Sequence, residues 1–187
     1  MVLSDGRRTT LRRLNWGCGT VARAGWLNSD CKARPGVDLV GDIRDGLPLP
    51  ADSLDYAVSI HALQDLPHRD LLPALQELHR VLKPGGVLRL ALPDLDRAID
   101  AYRRGDHRYF LIPDSEARSL GGKLCVQMLW YGALRSIFTY DFVAELLAKA
   151  GFTEVTRCRY GETASPHAEI VELDNRERES LWVEAVK

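Results

Sequence analysis

The stretch Leu14–Gly19, LNWGCG, is followed seven residues later by Trp26–Asp30, WLNSD. Each apolar run ends in residues that suit a ligand site: two glycines around Cys18 in the first run, and an aspartate in the second. Glycine lets a ligand approach the backbone, and doubly wound folds bind ligands where parallel strands end. The spacing therefore predicts two parallel strand ends that hold one small ligand.

Length and charge narrow the class of protein. A chain of 187 residues suits a single domain, 1–187, that buries its own core without disulfide or metal support. Lys and Arg total 25 against 26 for Asp and Glu, so the formal net charge is -1. This balance gives no electrostatic footprint for nucleic acid or for an anionic membrane. We therefore expect a small-molecule partner, with no nucleic acid and no membrane partner.

The cysteines and the first residues bear on metals and location. Cysteines 18, 31, 125 and 158 lack close CxxC pairing, so we expect no metal site and no redox motif. The N-terminal sequence MVLSDGRRTT lacks an apolar signal core, and no stretch approaches the roughly 20 apolar residues that a membrane helix needs. These features predict a soluble, cytoplasmic protein.

The first third of the chain has unusually short connections. Leu11–Trp16, Trp26–Ser29 and Val37–Val40 are predicted as strands, each stopped by Gly or Asp. A parallel crossover normally takes a dozen or more residues, usually including a helix. The links at 19–25 and 31–36 can hold only a turn or two, so the N-terminal crossover helices are predicted to be reduced.

The middle of the chain alternates strands and helices. Asp55–Ile60 is predicted as a buried strand, and leucines at three- and four-residue steps predict a helix over 71–82. We expect KPGG at 83–86 to end this helix and Val87–Leu92 to form the next strand. Strand, helix and strand in this order indicate a parallel sheet.

The later part breaks and then resumes this pattern. The mixed segment 104–137 is predicted to be an inserted lid or an oligomer contact, which makes a homodimer through this segment one expectation. A closing hairpin is predicted from strands at 153–160 and 181–186. The acidic run Glu169–Glu179 between these strands is expected to be an exposed loop, although it could contact a cationic substrate.

Acidic residues follow the second and third strands. Asp30 is placed where a carboxylate can accept hydrogen bonds from both hydroxyls of a ribose. Asp42, in LVGDI, could accept from the exocyclic amine of adenine while the Ile43 backbone N–H meets a ring nitrogen. Either aspartate alone could simply cap a turn. The agreement of three strand ends favours a nucleoside-containing ligand.

From about Leu11 to Leu95 the sequence resembles the class I S-adenosylmethionine-dependent methyltransferases. LNWGCG is similar to their first motif, Asp30 to their ribose-binding acid, and GDI at 41–43 to their adenine site. ADSLDYAVSIHAL at 51–63 resembles the fourth-strand motif, and ELHRVLKPGGVLRLALPD at 77–94 resembles the following helix and fifth strand. The GCG…GWLNSD spacing is similar to that of a small bacterial subgroup with a shortened N-terminal region.

This resemblance implies a fold, a cofactor and a set of binding residues. The fold is an α/β, Rossmann-like doubly wound sheet of seven mostly parallel strands, in the order 3-2-1-4-5-7-6, with an antiparallel last strand. The cofactor is S-adenosyl-L-methionine. The cofactor-binding residues implied are Trp16, Gly17, Cys18, Gly19, Asp30, Cys31, Asp42, Ile43, Ser59 and Ile60.

The implied activity is a transferase reaction, methyl transfer to a small molecule. The acceptor would be O- or N-methylated, for example a sugar, a glycolipid precursor or a secondary metabolite. In-line displacement on a sulfonium depends mainly on alignment, and a base is needed only for a protonated acceptor. His61 is the candidate catalytic base, because an unperturbed imidazole pKa of about 6.5 suits proton removal near neutrality. His61 could instead only hold the backbone or line the methionine pocket.

Two further features concern the acceptor. Many relatives have Glu-His where this chain has Gln64 and Asp65, so their acceptor chemistry does not carry over. Trp130, Tyr131, Phe138 and Tyr140 could form an aromatic roof over the acceptor, although such clusters are more often part of a core.

Two other functions fit parts of the sequence. GCGTVA formally satisfies the G-x-G-x-x-A fingerprint of a nicotinamide dinucleotide-binding oxidoreductase, but the acid of that motif comes about 20 residues on and Asp30 comes sooner. A noncatalytic methyltransferase-like subunit that binds a cofactor or a partner protein is the other alternative. The intact Asp30, Asp42 and glycines argue that cofactor binding survives.

Overall fold

One mixed sheet of seven strands forms the centre of the computed structural model, which describes residues 12–187. The strand order is β3-β2-β1-β4-β5-β7-β6, and β7 runs antiparallel to both of its neighbours, which confirms the predicted sheet. No helix within residues 12–187 has the length and apolar character needed to cross a membrane. The strands are β1 (Arg13–Trp16), β2 (Leu27–Asp30), β3 (Leu39–Val40), β4 (Leu54–Ile60), β5 (Leu82–Pro93), β6 (Thr153–Cys158) and β7 (Ser180–Val186), and the α-helices are α1 (His68–Val81), α2 (Leu95–Arg103), α3 (Leu120–Leu129) and α4 (Tyr140–Ala150).

The connections between the first three strands are turns. Strands β1 and β2 are parallel, with Leu14 opposite Leu27, yet residues 17–26 between them contain no helix. The pairing of the two strands continues past the end of β1, since the Gly17 N–H donates to the Ser29 carbonyl over 2.8 Å. Residues 31–38 also lack a helix. The prediction of reduced crossover helices is confirmed.

One face of the sheet is covered by α1 and α4. The predicted leucine stripe of α1 is buried: Leu71, Leu75 and Leu78 are all 0% exposed in the main core. The position of KPGG was predicted incorrectly. Helix α1 ends at Val81, and residues 83–86 already belong to β5.

The opposite face is covered near β1 and β4 by the connection between β6 and β7. Ile170 and Leu173 from this connection are buried and pack with Trp26, Tyr56 and Val58. The expectation of an exposed loop over Glu169–Glu179 is therefore wrong for its first half. The apolar side chains within the acidic run replace part of the cover that full crossover helices would supply.

Arg89 anchors this connection to the sheet. Its side chain is 0% exposed, and it pairs with Asp174 and Glu184 at 2.5 and 2.7 Å. The same guanidinium donates to the carbonyl oxygens of Arg159 and Glu162. A buried charge is tolerated only when it is paired and its donors are satisfied, and both conditions hold here.

Part of the segment 104–137 packs on α2. Ala98 and Ala101 of α2 form a small separate core with Tyr109, Phe110 and Met128. The segment thus adds a wall beside the C-terminal end of β5. Its role as a lid or as a dimer contact stays a prediction.

Candidate active site

A cavity of about 500 Å³ lies at the C-terminal ends of β1, β2 and β3. This is the edge of the sheet at which the sequence predicted a ligand site, and doubly wound folds bind ligands there. Arg34, Arg44 and Arg135 also line it. The predicted residues that line the cavity are Trp16, Gly17, Gly19, Asp30, Cys31, Asp42, Ile43 and His61.

The two glycines after β1 serve different purposes. Gly17 has a φ of +68°, and a Cβ built on it would lie 2.2 Å from the Cβ of Ala62, so glycine is needed for the close approach of two strand ends. Gly19 has a φ of +55°, and nothing lies within 4 Å of a Cβ built there. Its backbone is open to a ligand.

Asp30 is held at the edge of the cavity by two backbone groups. Its Oδ2 accepts from the Gly19 N–H over 2.8 Å, and its Oδ1 accepts from the Lys32 N–H over 2.9 Å. An ionised carboxylate has about four lone-pair sites, so about two remain for a ligand. This arrangement fits an acceptor of hydrogen bonds from a ribose diol.

Asp42 is already paired. Its oxygens accept from the Arg44 Nε and Nη2 atoms at 2.9 and 2.6 Å, and its side chain caps the short 3-10 helix that begins at Ile43. The hydrogen bond from the Arg44 side chain is the main cause that lowers the pKa of Asp42 to about 2. An adenine amine would have to share this carboxylate with Arg44, and the adenine role stays a proposal.

Of the remaining predicted cofactor residues, two line an adjoining cavity and one does not. Cys18 and Ile60 line a smaller adjoining cavity of about 190 Å³. Burial raises the pKa of the Cys18 thiol, and the Asp30 carboxylate raises it further, so Cys18 is a thiol at neutral pH. Ser59 lines neither cavity; its hydroxyl is buried and has no hydrogen-bond partner among residues 12–187.

A second cavity of about 220 Å³ adjoins the first. The two share His61, Asp65 and Ala133, so these residues lie at the junction. The walls of the second cavity come from the turn after β4, from α3 and the turn after it, and from the end of the β6–β7 connection. They include Gln64, Pro93, Gln127, Met128, Trp130, Leu134, Arg176 and Glu179.

His61 occupies the junction in a constrained conformation. Its φ is +52°, its backbone N–H donates to the Ala91 carbonyl over 2.9 Å, and its Nε2 lies 2.8 Å from the Ser180 Oγ. Burial, and secondarily the positive charge of Arg176, lowers the pKa of His61 to about 3. The expectation that His61 titrates near pH 6.5 is therefore wrong, because the imidazole is neutral throughout the physiological range.

Asp65 is a junction residue that the sequence analysis did not propose. Burial raises the pKa of its carboxyl; the charge of Arg135 opposes this shift, and the Asp30 carboxylate adds to it. The sequence signal was the replacement of Glu-His by Gln64-Asp65, which was interpreted only as a departure. Asp65 brings a carboxylate of raised basicity to the place where the two cavities meet.

The predicted aromatic roof is mostly wrong. Of its four members only Trp130 lines the second cavity. Phe138 is 0% exposed in the main core, and the Tyr140 hydroxyl donates to the Val155 carbonyl over 3.2 Å. Tyr131 is 56% exposed. Packing of α4 against the sheet takes the later two aromatics away from the site.

Comparison with known proteins bears on the family. Residues 28–90, from β2 into β5, match the family model of a methyltransferase domain. With the strand order above, this match supports a class I S-adenosylmethionine-dependent methyltransferase. The chain has the class I methyltransferase fold. Its assignment to the subgroup with a shortened N-terminal region stays a prediction.

Individual relatives agree with this methyltransferase fold. The chain is 30% identical over 135 residues to a demethylmenaquinone methyltransferase of Lysinibacillus sphaericus, an alignment covering 71% of this chain and 56% of that protein. The chain spans about half the length of the curated relatives that it matches.

Two solved structures show the same architecture. A methyltransferase of Thermotoga maritima, described as a possible histamine N-methyltransferase, aligns with a TM-score of 0.58 and 21% identity over 94% of this chain and 82% of its own. The 1,6-didemethyltoxoflavin N1-methyltransferase of Burkholderia thailandensis, solved with S-adenosylhomocysteine, aligns with a TM-score of 0.54 and 16% identity over 94% and 70%.

The first cavity fits the cofactor that this family match supports, S-adenosyl-L-methionine. Gly19 leaves its backbone open, Asp30 offers free acceptor positions, and Trp16 and Ile43 supply apolar walls. A nicotinamide cofactor is not favoured, because residues 17–26 form turns where the dinucleotide fingerprint needs the start of a full helix.

Proposed function

We propose that this protein transfers a methyl group from S-adenosyl-L-methionine to a small, uncharged acceptor in the second cavity. The observation that carries the proposal is that two cavities of different character meet at His61 and Asp65. When bound, the cofactor supplies an electrophilic methyl group on a sulfonium. Side-by-side placement of the two reactants is the main requirement for such an in-line transfer.

The cofactor would be held by the first cavity. Asp30 accepts from the ribose hydroxyls, and the Gly17–Gly19 turn lies along the methionine part. Asp42 and the Ile43 N–H meet the adenine once Arg44 shares its carboxylate partner. These roles are supported by the position of each residue at the cavity and by the free acceptor capacity of Asp30.

His61 and Asp65 would divide the work on the acceptor. The neutral His61 imidazole, held by Ser180, orients the hydroxyl or amine of the acceptor through a hydrogen bond. Asp65 removes the proton, since its raised pKa makes it the stronger base of the pair, whereas the pKa of His61 is lowered to about 3. This division replaces the single histidine base that the sequence predicted.

The acceptor proposal draws on the relatives and on the cavity walls. Demethylmenaquinone, named for the curated relatives, carries a hydroxyl only in its reduced quinol form. That form and ring-shaped secondary metabolites with a hydroxyl or amine are the first acceptors to test, with sugars and glycolipid precursors after them. Pro93, Met128 and Leu134 give the second cavity an apolar surface that suits a ring skeleton.

Calorimetry tests the cofactor half of this proposal. S-adenosylmethionine and S-adenosylhomocysteine should release heat on binding, and NAD should not. Heat from NAD alone would reverse the choice between a methyltransferase and an oxidoreductase.

Transfer of a deuterated methyl group tests the reaction. The protein is incubated with methyl-deuterated cofactor and acceptor pools, and mass spectrometry follows the label. Label should reach a small molecule with the parent protein, and Asp65→Asn should slow transfer by about 10²–10⁴-fold with cofactor affinity unchanged. Cofactor binding without transfer to any pool would instead support the noncatalytic subunit.

A further inference from the structure

Two buried amide side chains lie in the wall of the second cavity with unused hydrogen-bonding atoms. Gln64 is 2% exposed and Gln127 is 4% exposed, and both line this cavity. Among residues 12–187, neither the Gln64 Oε1 nor the Gln127 Nε2 has a hydrogen-bond partner. Such atoms are rare in folded proteins, and each one calls for an explanation.

The surroundings fix the orientation of the Gln127 amide and tie down the backbone of Gln64. The Gln127 Oε1 accepts from the Leu111 N–H over 2.6 Å, which turns its Nε2 into a donor that lacks an acceptor. The Gln64 carbonyl accepts from the N–H groups of Arg135 and Ser136 at 2.9 and 3.0 Å, which ties its backbone to the opposite wall. Its side-chain oxygen is an acceptor that lacks a donor.

We propose that Gln64 and Gln127 together recognise the methyl acceptor as a neutral ring compound that carries a hydrogen-bond donor next to a hydrogen-bond acceptor. A hydroxyl or ring N–H pairs with the Gln64 oxygen, and a carbonyl or ring nitrogen pairs with the Gln127 amide. This inference rests on the proposed function and narrows its substrate class.

Charge in the cavity favours a neutral ligand. Neither amide can compensate an ionised group, and Pro93, Met128 and Leu134 around them are apolar. Arg176 is the cation among the residues that line the second cavity, and it already lies 3.4 Å from Glu179. A buried carboxylate would lose its hydration without gaining a free cation, and the Asp65 carboxylate at the junction, which an ammonium would need, is already opposed by the charge of Arg135.

The two atoms are shielded from solvent by the surrounding wall. A ligand that pairs with them must therefore displace part of that wall on entry. Because a buried polar atom without a partner destabilises its site, pairing with the ligand is favourable for both amides at once. A ligand that offers only a donor or only an acceptor satisfies half of the pair.

The test uses simple ring probes on the protein saturated with S-adenosylhomocysteine. The probe 2-pyridone carries N–H beside C=O and is neutral; toluene, benzoate and benzylammonium are the apolar, anionic and cationic comparisons. Ligand-observed NMR should show binding of 2-pyridone in preference to the other three. Its addition should also shift the side-chain amide resonance of Gln127 in the unmodified protein.

Two substitutions separate recognition from general damage. Gln127→Glu keeps the acceptor for Leu111 but replaces the free donor by an oxygen, and Gln64→Met keeps the volume without the amide. Each should weaken 2-pyridone binding by about 5- to 30-fold while S-adenosylhomocysteine affinity is unchanged. Leu129→Ala, on the same helix at a 53% exposed position outside this cavity, should change 2-pyridone binding less than 2-fold.

The outcomes distinguish the two proposals. Absence of S-adenosylhomocysteine binding to the parent protein would overturn the proposed function itself. Three outcomes with normal cofactor binding would overturn the role of the glutamine pair. The first is no binding of 2-pyridone, and the second is binding of 2-pyridone by both glutamine variants as tightly as by the parent protein. The third is binding of benzoate or benzylammonium as tight as that of 2-pyridone. If a variant does not fold, the Gln127 resonance in the parent protein decides: no shift on 2-pyridone addition contradicts the inference.

Discussion

Replacing Gly17 by alanine tests the turn that opens the cofactor cavity, and Gly161 provides a matched control. The two glycines have nearly the same backbone conformation, with φ of +68° and +69°. A Cβ on Gly17 would lie 2.2 Å from the Ala62 Cβ, whereas nothing lies within 4 Å of a Cβ on Gly161. Both substitutions therefore place an alanine in left-handed backbone, and only Gly17→Ala adds a steric overlap.

The expected magnitudes follow from these two contributions. A left-handed backbone costs an alanine about 1–2 kcal/mol, so Gly161→Ala should lower the free energy of unfolding by that amount. Carbon atoms normally approach to about 3.5–4.0 Å, and forced overpacking costs about 1–3 kcal/mol more. Gly17→Ala should therefore lower the free energy of unfolding by about 2–5 kcal/mol.

Urea unfolding and calorimetry with S-adenosylhomocysteine measure both consequences. Gly17→Ala should also weaken cofactor binding, because the turn must move away from Ala62, and Gly161→Ala should not. The double variant Gly17→Ala/Ala62→Gly removes the overlapping methyl and should recover the steric part of the loss. Equal destabilisation by the two single variants, or no recovery in the double variant, would refute the reasoning.

Three other predictions concern charges. Asp30→Asn, with a neutral side chain of the same shape, should weaken S-adenosylhomocysteine binding by about 10- to 100-fold, and unchanged affinity in calorimetry would remove Asp30 from the site. The pKa of His61 is lowered to about 3. The contribution of the neutral imidazole to the free energy of unfolding is therefore full above its unfolded pKa of about 6.5 and is lost as pH falls toward the folded value. The free energy of unfolding should change by at most about 1.4 kcal/mol per pH unit over this range. NMR of the His61 imidazole should therefore show no titration near neutrality, and His61→Gln should remove the contribution of this residue to the pH dependence of the free energy of unfolding. Arg89→Met leaves the Asp174 and Glu184 carboxylates buried without their cation, so urea unfolding should show a loss of about 3–5 kcal/mol in the free energy of unfolding. A loss below about 1 kcal/mol would contradict the role of Arg89 as the buried anchor of the β6–β7 connection.

The features that the sequence predicted well are local ones. Gly17 follows β1 directly and Asp30 ends β2, so their place at one edge of the sheet depends only on those strands being parallel. The length of each connection limits what it can contain, which is why the absence of helices from 17–26 and 31–38 was predictable. The order of the strands came from the resemblance to a family, since pairing over long separations leaves little trace in a single sequence.

The features that were missed depend on long-range packing or on side-chain competition. Ile170 and Leu173 are too few to suggest a buried segment within an acidic run, although they cover the sheet. Trp130 and Phe138 belong to one aromatic cluster in the sequence, yet left-handed backbone at Trp130 and the start of α4 separate them. Asp42 looked available for a ligand because its bidentate pair with Arg44 depends on the local turn.

The shortened crossovers and the chemistry of the junction are physically connected. Without full helices after β1 and β2, the β6–β7 connection must lie across the sheet, and the buried Arg89–Asp174 pair fixes it there. Two residues beyond Asp174 the same connection brings Arg176 to the second cavity, where its charge helps to lower the pKa of His61. The reduced N-terminal region thus adds, through Arg176, to the lowering of the His61 pKa that burial mainly causes, and Asp65 is the junction group whose basicity suits proton removal.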